Sequence, residues 1–334
     1  MKISIIPQPG IIKFTSGGYN KRMYHLADEL VKLGHKVKIF ALPGSKIPGR
    51  LDASIDFGKK PYTYSLEKRL YFISEAIKRS QDCDIINCQT DHLAVIFDRF
   101  SKKPIVHTLI TSNLPPTAAD LLKFYKNLNY STVSGAPKNK LKFLKFKAVV
   151  YNGCDIQSFK FNAESKDYFL CLSRISRDKG VHRAVWAARR LGIRLKIAGK
   201  KVDQEYFNQE IKPYLGKNVS YLGLIQPSKF EKKIKLIQNA KAIFSLSEQD
   251  EGFSNTILES LSSGTPVIAW NHFSYQEIIK SGRNGFIVKN KPSLPKAIKS
   301  IDNIKRENCR KIVEQKYTYS DMARGYEKLF KKIV

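Results

Sequence analysis

Two glutamates separated by seven residues, Glu251 and Glu259, flank the densest group of polar residues in the chain. We expect Glu251 to lie in a loop and Glu259 on the helix that follows, because Ser254 and Asn255 are residue types that begin helices. The N–H groups of the first turn would attract a phosphate. Glu251 would accept hydrogen bonds from sugar hydroxyls, and Glu259 would hold a ribose diol. The alternative is a capped helix with two surface acids.

Two further stretches have residue types suited to a diphosphate. Arg174 and Lys179 bracket a loop that we predict to lie between a strand and a helix. Arginine binds phosphate oxygens as a fork and lysine binds them as a point charge. Gly17 and Gly18 lie between another predicted strand and helix, where a backbone without side chains can approach a ligand closely. A solvated basic loop and a plain turn are the respective alternatives.

The elements that position these residues alternate between strands and helices. Residues 2–6 and 37–40 predict buried strands, and Met23, Leu26 and Leu30 form the apolar stripe of a helix between them. In the second half we predict a helix at 181–191 and strands at 168–173, 194–198, 218–222, 242–246, 266–270 and 285–288. This order predicts two α/β domains with parallel sheets, joined near residues 159–166. Ligands bind at the carboxyl ends of such strands, so we expect a cleft between two facing domains.

Composition sets limits on the partners and on the compartment. The chain has 334 residues, which suits two domains, and a net charge of +30, which favours a polyanionic partner. Because both halves carry the excess of basic residues, a concentrated nucleic-acid arm is disfavoured. The five cysteines are scattered, without zinc-type spacing, which indicates reduced thiols in the cytoplasm. We find neither a signal peptide nor an apolar run long enough to span a membrane.

One basic stretch bears on the partners. Residues 138–147 contain five lysines interleaved with Leu141, Phe143, Leu144 and Phe146. Such a pattern fits contact with an anionic lipid surface at the inner face of the membrane. A solvated helix face with ordinary core contacts is the alternative.

The stretch from Glu251 to Glu259 resembles the EX7E motif of retaining glycosyltransferases, specifically glycosyltransferase family 4 with the GT-B fold. Four further stretches are similar to motifs of that family, in the same order along the chain, as is the Gly17–Gly18 loop. They are Asn152 to Asp155 with Phe159 ("NGvDxxxF"), Ser173 to Gly180 ("GRxxxxKG"), Glu259 to Ala269 ("EAMACGTPVIA") and Glu277 to Gly285 ("EIVxxGxxG").

The resemblance implies a retaining transferase that moves a hexose-type sugar from a nucleotide sugar, with a UDP-sugar as the expected donor. Arg174 and Lys179 would neutralise the departing diphosphate, Glu251 would bind the donor sugar and Glu259 the ribose. Donor contacts would also come from Gly17, Gly18, Phe253, Ser254, Asn255 and Thr256. No metal or cofactor is expected. The implied domains are an acceptor domain (1–160), a nucleotide-sugar domain (161–312) and a helical segment crossing back (313–334).

The sequence departs from the family pattern at three places. Asn87 and Gln89 stand where related sequences often have histidine. Ile110 stands where the family usually has a histidine, and Phe273 stands where glycine is common. His107 precedes that position, and we predict it to be a strand residue with a hydrogen-bonded imidazole. Three alternatives to a transferase therefore stay open. They are a GT-B phosphorylase, a sugar-nucleotide epimerase and an inactive module that binds an anionic surface or nucleic acid.

Overall fold

The computed structural model describes the chain apart from residues 14–17, 48–49, 52–53, 57–64, 91, 112 and 250. The described residues pack into two compact units, residues 1–153 with 319–334, and residues 154–318. The predicted boundaries at 160 and 312 differ from this division because both stretches beside them pack within the second unit. Arg310 donates hydrogen bonds to the carbonyl oxygens of Ile156 and Phe159 at 3.1 and 2.8 Å. The Cys154 amide donates to the Tyr317 carbonyl oxygen at 2.8 Å.

The first unit is built from strands and helices that mostly alternate. Its elements are β1 (Lys2–Pro7), α1 (Gly18–Lys32), β2 (Lys36–Ile39), β3 (Arg50–Leu51), α2 (Leu66–Lys78), β4 (Ile85–Gln89), β5 (Ile105–Leu109), α3 (Pro116–Phe124), β6 (Asn129–Thr132), α4 (Gly135–Lys140), β7 (Phe146–Val149) and, from the end of the chain, α12 (Tyr319–Phe330). A 3₁₀ helix covers His92–Phe100. The seven strands form one parallel sheet in the order β3-β2-β1-β4-β5-β6-β7.

Helix α1 covers one face of this sheet with the apolar stripe that the sequence predicts. Met23, Leu26 and Leu30 are fully buried and pack in one cluster with residues of β1 and β2. Helix α12 contributes Tyr326 and Phe330 to the same cluster. The first unit therefore has a core to which the last helix of the chain belongs.

The second unit repeats the alternation. Its elements are β8 (Phe169–Leu172), α5 (Val181–Leu191), β9 (Leu195–Ala198), α6 (Gln204–Glu210), β10 (Val219–Tyr221), α7 (Phe230–Gln238), β11 (Ala242–Ser245), α8 (Asn255–Ser262), β12 (Val267–Trp270), α9 (Phe273–Ile278), β13 (Gly285–Val288), α10 (Leu294–Lys299) and α11 (Arg306–Lys316). Its six strands are all parallel, in the order β10-β9-β8-β11-β12-β13.

Both sheets have the doubly wound order of Rossmann-like domains, which confirms the predicted α/β class. The order reverses between β1 and β4 in the first sheet and between β8 and β11 in the second. At such a reversal the following loops run to opposite sides of the sheet, which leaves a crevice at the carboxyl ends of the two central strands. No helix in the described part of the chain is long and apolar enough to cross a bilayer.

Two glycines bring the loops of the second unit into direct backbone contact. Gly180 has φ +64°, and a Cβ atom there would lie 1.9 Å from the Leu246 carbonyl oxygen. Gly199 has φ +152°, and its Cβ would lie 1.7 Å from the Ser173 carbonyl oxygen. The first contact joins the loop after β8 to the residue after β11, and the second joins the residues directly after β9 and β8. The carboxyl edge of this sheet therefore tolerates no side chain at either position.

We expect Gly180→Ala to destabilise the second unit much more than Gly192→Ala. Gly192 has a nearly identical φ of +65°, and no atom lies within 4 Å of a Cβ added there. Gly192→Ala therefore measures only the cost of placing a side chain in the left-handed conformation. That cost is about 1 to 2 kcal/mol, and the clash at Gly180 adds a further 1 to 3 kcal/mol, roughly the range for overpacking. Urea unfolding of the two variants measures the difference. Equal midpoints would contradict the close packing.

Candidate active site

A pocket opens at the carboxyl ends of β8 and β11, where the strand order of the second sheet reverses. Its wall on the β8 side is formed by Ser173, Arg174 and Lys179. On the other side it is lined by Leu246 and Ser247, which follow β11, and by Glu251, Ser254 and Thr256 near the start of α8. The structure therefore brings together five of the residues predicted from the sequence, Arg174, Lys179, Glu251, Ser254 and Thr256.

The loop after β8 is fastened to the loop after β11. The Asp178 carbonyl oxygen accepts hydrogen bonds from the Glu248 amide at 2.7 Å and from the Ser247 hydroxyl at 3.0 Å. A single 3₁₀ turn over Arg177–Lys179 precedes Gly180. Because both sides of the turn are held, Lys179 projects from a fixed backbone into the pocket.

Lys179 and Glu251 form an ion pair inside the pocket. The Lys179 Nζ lies 2.5 Å from the Glu251 Oε1, and the two side chains are 16% and 27% exposed. Asp178 Oδ2 lies further from the same nitrogen, at 3.8 Å. Partial burial strengthens this pair relative to one in water. Glu251 thus neutralises the lysine that we predicted to contact a diphosphate.

Arg174 is the more accessible cation of the pocket. Its side chain is 58% exposed, and its nearest carboxylate is Asp178 at 3.5 Å. At that distance and exposure the pair contributes little. Most of the guanidinium is therefore available to an incoming anion, and the fork of N–H groups matches phosphate oxygens.

Helix α8 begins at the pocket. Ser254 stands at its N-cap in an extended conformation and makes no side-chain hydrogen bond to the first turn. The first-turn N–H groups of a helix have no partner within the helix, and the positive end of its dipole favours an anion there. Asn255 Oδ1 is buried and has no hydrogen-bond partner among the described residues. The predicted loop position of Glu251 and helix position of Glu259 are confirmed.

Glu259 does not line the pocket. Its two carboxylate oxygens lie 2.7 and 2.6 Å from Nζ of Lys233 on α7. Glu259 is nevertheless close to the pocket, because it follows Thr256 by three residues and so shares its helix face. Lys233 was not predicted from the sequence, since it belongs to another helix.

Of three other predicted donor residues, one has its side chain in the core of the second unit, one lies outside the described residues and one belongs to the first unit. Phe253 is 9% exposed and packs against Tyr317, with ring centroids 5.9 Å apart, so its side chain belongs to the core. Gly17 lies outside the described residues. Gly18 is the first residue of α1 in the first unit, with φ +51°.

Arg183 fixes the β11 side of the pocket. It was also not predicted as a site residue from the sequence. Its guanidinium donates to the Leu246 carbonyl oxygen at 2.9 Å and to the Glu248 carboxylate at 3.1 Å. It lies over the Trp270 ring at 4.1 Å from the centroid. These contacts fix the backbone that lines the pocket. Burial, together with the positive charge of Arg183, lowers the pKa of the neighbouring His182.

The first unit has a polar cluster at the carboxyl ends of its central strands. Asn87 donates to Thr108 Oγ1 at 2.9 Å, and Gln89 donates to Asn87 Oδ1 at 2.7 Å. His107 lies 2.9 Å from the Asp98 carboxylate and is buried, which confirms its prediction as a hydrogen-bonded strand residue. Ile110 follows directly after β5. This edge therefore presents an aliphatic side chain where a histidine is usual in the family that the sequence resembles.

Metal-binding residue types are not clustered in the described part of the chain. No group of three or more histidine, cysteine, aspartate or glutamate side chains there is arranged to hold an ion. The expected absence of a metal stays a prediction.

The comparisons with known proteins concern the part of the chain that contains this pocket. Residues 155–318 match the sequence model of the family described as glycosyl transferases group 1. The matched residues cover nearly all of the second unit and contain the whole pocket.

Curated relatives share modest sequence identity with this chain. An uncharacterized glycosyltransferase of Methanocaldococcus jannaschii is 24% identical, covering 56% of this chain and 53% of the relative. A relative from Bacillus subtilis that is named as a glycosyltransferase is also 24% identical, and the match covers 56% of this chain and 54% of that relative. The match spans about half the length of these relatives.

Solved structures extend the likeness in fold to both units of the chain. HepE of Anabaena, solved with UDP and glucose, has a TM-score of 0.76 at 16% identity, covering 99% of both chains. Sucrose-phosphate synthase of Thermosynechococcus elongatus has a TM-score of 0.81 at 18% identity, covering 99% of this chain and 98% of its own. These neighbours show that both units have the fold of GT-B glycosyltransferases.

We expect the Lys179–Glu251 pair to contribute measurable coupling energy. In a double-mutant cycle with Lys179→Met and Glu251→Gln, the unfolding free energies should differ from additivity by about 1 to 3 kcal/mol, since both groups are partly buried. The exposed pair Arg177–Glu210, at 3.3 Å and 54% and 37% exposed, is the matched control. Its coupling should stay below about 1 kcal/mol. Equal coupling in both cycles would contradict the special position of the pocket pair.

Proposed function

We propose that the protein is a retaining glycosyltransferase that moves a hexose-type sugar from a nucleotide sugar to an acceptor. One observation carries the proposal. Two cations, a carboxylate and a helix N-terminus surround one pocket at a strand-order reversal, in a stretch that matches the sequence model of glycosyl transferases group 1. This set matches the charge pattern of a sugar diphosphate, which has an anionic leaving group and a sugar rich in hydroxyls.

The ion pair suggests how the donor enters. The diphosphate would approach the exposed Arg174 first and then draw Lys179 away from Glu251, since a dianion attracts the ammonium more strongly than one carboxylate does. The released Glu251 would accept hydrogen bonds from the hydroxyls of the sugar. Donor binding would thus exchange one ion pair for another, and Lys179 would never be left without a counter-charge.

The same cations serve the bond-breaking step. As the bond between the anomeric carbon and the diphosphate oxygen breaks, negative charge grows on the diphosphate, where Arg174, Lys179 and the α8 N-terminus stabilise it. In a front-face reaction the acceptor hydroxyl attacks from the side that the diphosphate leaves, and its proton passes to a departing phosphate oxygen. The configuration at the anomeric carbon is then retained. We propose that these groups act without a metal or other cofactor.

The expected donor is a UDP-sugar. Support comes from HepE, a structural neighbour that was solved with UDP and with UDP-glucose. In this chain Glu259 would hold the ribose hydroxyls, with Lys233 fixing the orientation of its carboxylate. We assign no acceptor. We further propose that the protein works in the cytoplasm, with peripheral contact to the anionic inner face of the membrane.

We expect the full chain to be stabilised by its donor and inactivated by loss of Lys179. In a thermal-shift screen of UDP-, GDP- and ADP-sugars, a donor at 100 times its Kd stabilises by about 2.7 kcal/mol. Lys179→Ala and Arg174→Ala should each lower kcat for donor turnover about 10²-fold, the usual loss for a group that stabilises developing charge. Arg177→Ala is the matched control, because Arg177 is a cation of the same loop that does not line the pocket.

Three outcomes would contradict the proposal. If no nucleotide sugar stabilises the protein or is turned over, it is not a transferase of this kind. If phosphate releases sugar from an oligosaccharide without any nucleotide, the protein is a phosphorylase. If a donor is turned over with inversion, which proton NMR of the product detects, the retaining assignment is wrong.

A further inference from the structure

The first unit has a long stretch of sequence with lysines and no acid. Residues 121–147 contain seven lysines and neither aspartate nor glutamate, and ten lysines and arginines stand against one acid in residues 99–147. The whole chain has one acid for about two basic residues, 29 against 59. The imbalance here is therefore local, although the charge of the two halves of the chain is similar.

The fold turns these lysines outward. Leu141 and Leu144 are each 5% exposed and anchor the stretch in an apolar cluster with Leu122 and Tyr130. The lysines that alternate with them are all exposed, namely Lys138, Lys140, Lys142, Lys145 and Lys147. None of these five pairs with a carboxylate among the described residues. Solubility alone does not require five exposed lysines in one stretch without a carboxylate partner. We call these five residues the lysine row.

Two phenylalanines beside this row are exposed. Phe124, at the end of α3, is 86% exposed, and Phe100, at the end of the 3₁₀ helix, is 67% exposed. Arg99 donates to the Tyr125 hydroxyl at 2.8 Å, which joins the two chain segments next to these rings. An exposed phenylalanine has no polar group to hydrate, so two of them at neighbouring segment ends need an explanation.

The phenylalanines and the lysine row belong to one surface region. The Tyr130 hydroxyl donates to the Tyr125 carbonyl oxygen at 2.9 Å, and the Tyr130 ring meets Phe146 edge-on at 6.2 Å between centroids. Phe100, Phe124 and residues 141–145 each precede one of the parallel neighbouring strands β5, β6 and β7, so all of them lie beside the amino ends of these strands. We call this region the lysine–phenylalanine surface. It consists of Phe100, Phe124, Lys126, Lys138, Lys140, Lys142, Lys145 and Lys147.

We propose that the lysine–phenylalanine surface binds a bilayer that contains anionic lipids. Lysines hold a protein at the headgroups by charge, with a range set by the Debye length. Phenylalanine side chains insert at the boundary between headgroups and acyl chains. The inference rests on the peripheral membrane contact proposed for the protein and is independent of sugar transfer.

A nucleic acid is the competing polyanion and fits less well. Specific contact with bases uses arginine, asparagine or glutamine forks, whereas every cation of the row is lysine, a point charge. Charge alone would make both partners possible. The exposed phenylalanines favour the bilayer, because they need an apolar phase and not merely a charged surface.

Sedimentation of the full chain with vesicles tests the proposal. We expect binding to vesicles of phosphatidylcholine mixed with phosphatidylglycerol and little binding to phosphatidylcholine alone. Replacing Lys138, Lys140, Lys142 and Lys145 by glutamine should weaken binding by more than about tenfold, since each lysine near the surface contributes severalfold. The matched control replaces four exposed lysines of the second unit, Lys212, Lys217, Lys229 and Lys232, and should change binding by less than about twofold.

Phe124→Ser separates insertion from charge. It should weaken vesicle binding severalfold without changing the net charge, whereas Leu224→Ser, at a residue 48% exposed in the second unit, should have no effect. Equal weakening by both lysine sets, or no effect of Phe124→Ser, would overturn the proposal. So would tighter binding to single-stranded RNA than to the vesicles. Donor turnover in solution should be unchanged in all variants, so failure of this surface and failure of the transferase assignment are distinguishable.

Discussion

The backbone of Gly180 lies so close to the Leu246 carbonyl oxygen that no side chain fits between them. This contact joins the loop after β8 to the end of β11 across the reversal of strand order. It brings the Asp178 carbonyl oxygen to the Glu248 amide, and it sets Lys179 beside Glu251. The positions of charge in the pocket thus follow from one place where the chain must be glycine.

The strands and the main helices could be predicted because buried apolar runs are local signals. The predicted strand at 242–246 is observed as Ala242–Ser245, and that at 285–288 as Gly285–Val288. Helix α5 was predicted at its observed bounds, since glycines flank it on both sides. The short strand Arg50–Leu51 was not predicted, because two residues at the edge of a sheet have no periodicity. The predicted domain boundaries differ from the observed ones for a related reason. Arg310 contacts Ile156, which lies about 150 residues earlier in the sequence, and a local pattern does not reveal such a contact.

The site divides in the same way. Arg174, Lys179 and Glu251 could be predicted because each belongs to a short motif whose spacing fixes its place at a strand end or helix start. Lys233 and Arg183 could not, since their carboxylate partners stand 26 and 65 residues away in sequence. Both are lysines or arginines in a chain rich in them, so their type alone gives no signal. Only packing distinguishes a cation that positions a functional residue from one that is solvated.

The ion pairs of the second unit also change how the net charge of the chain is interpreted. A count over the two halves suggests an even excess of basic residues, and an even excess argues against a dedicated anionic partner. Several cations in the second unit, however, form ion pairs with carboxylates: Lys179 with Glu251, Lys233 with Glu259 and Arg183 with Glu248. Residues 121–147 contain no aspartate or glutamate with which a lysine of this stretch could form an ion pair. The field outside a protein depends on the uncompensated cations and not on their total, so the exposed lysines of residues 138–147 contribute more to it than the paired cations of the pocket do.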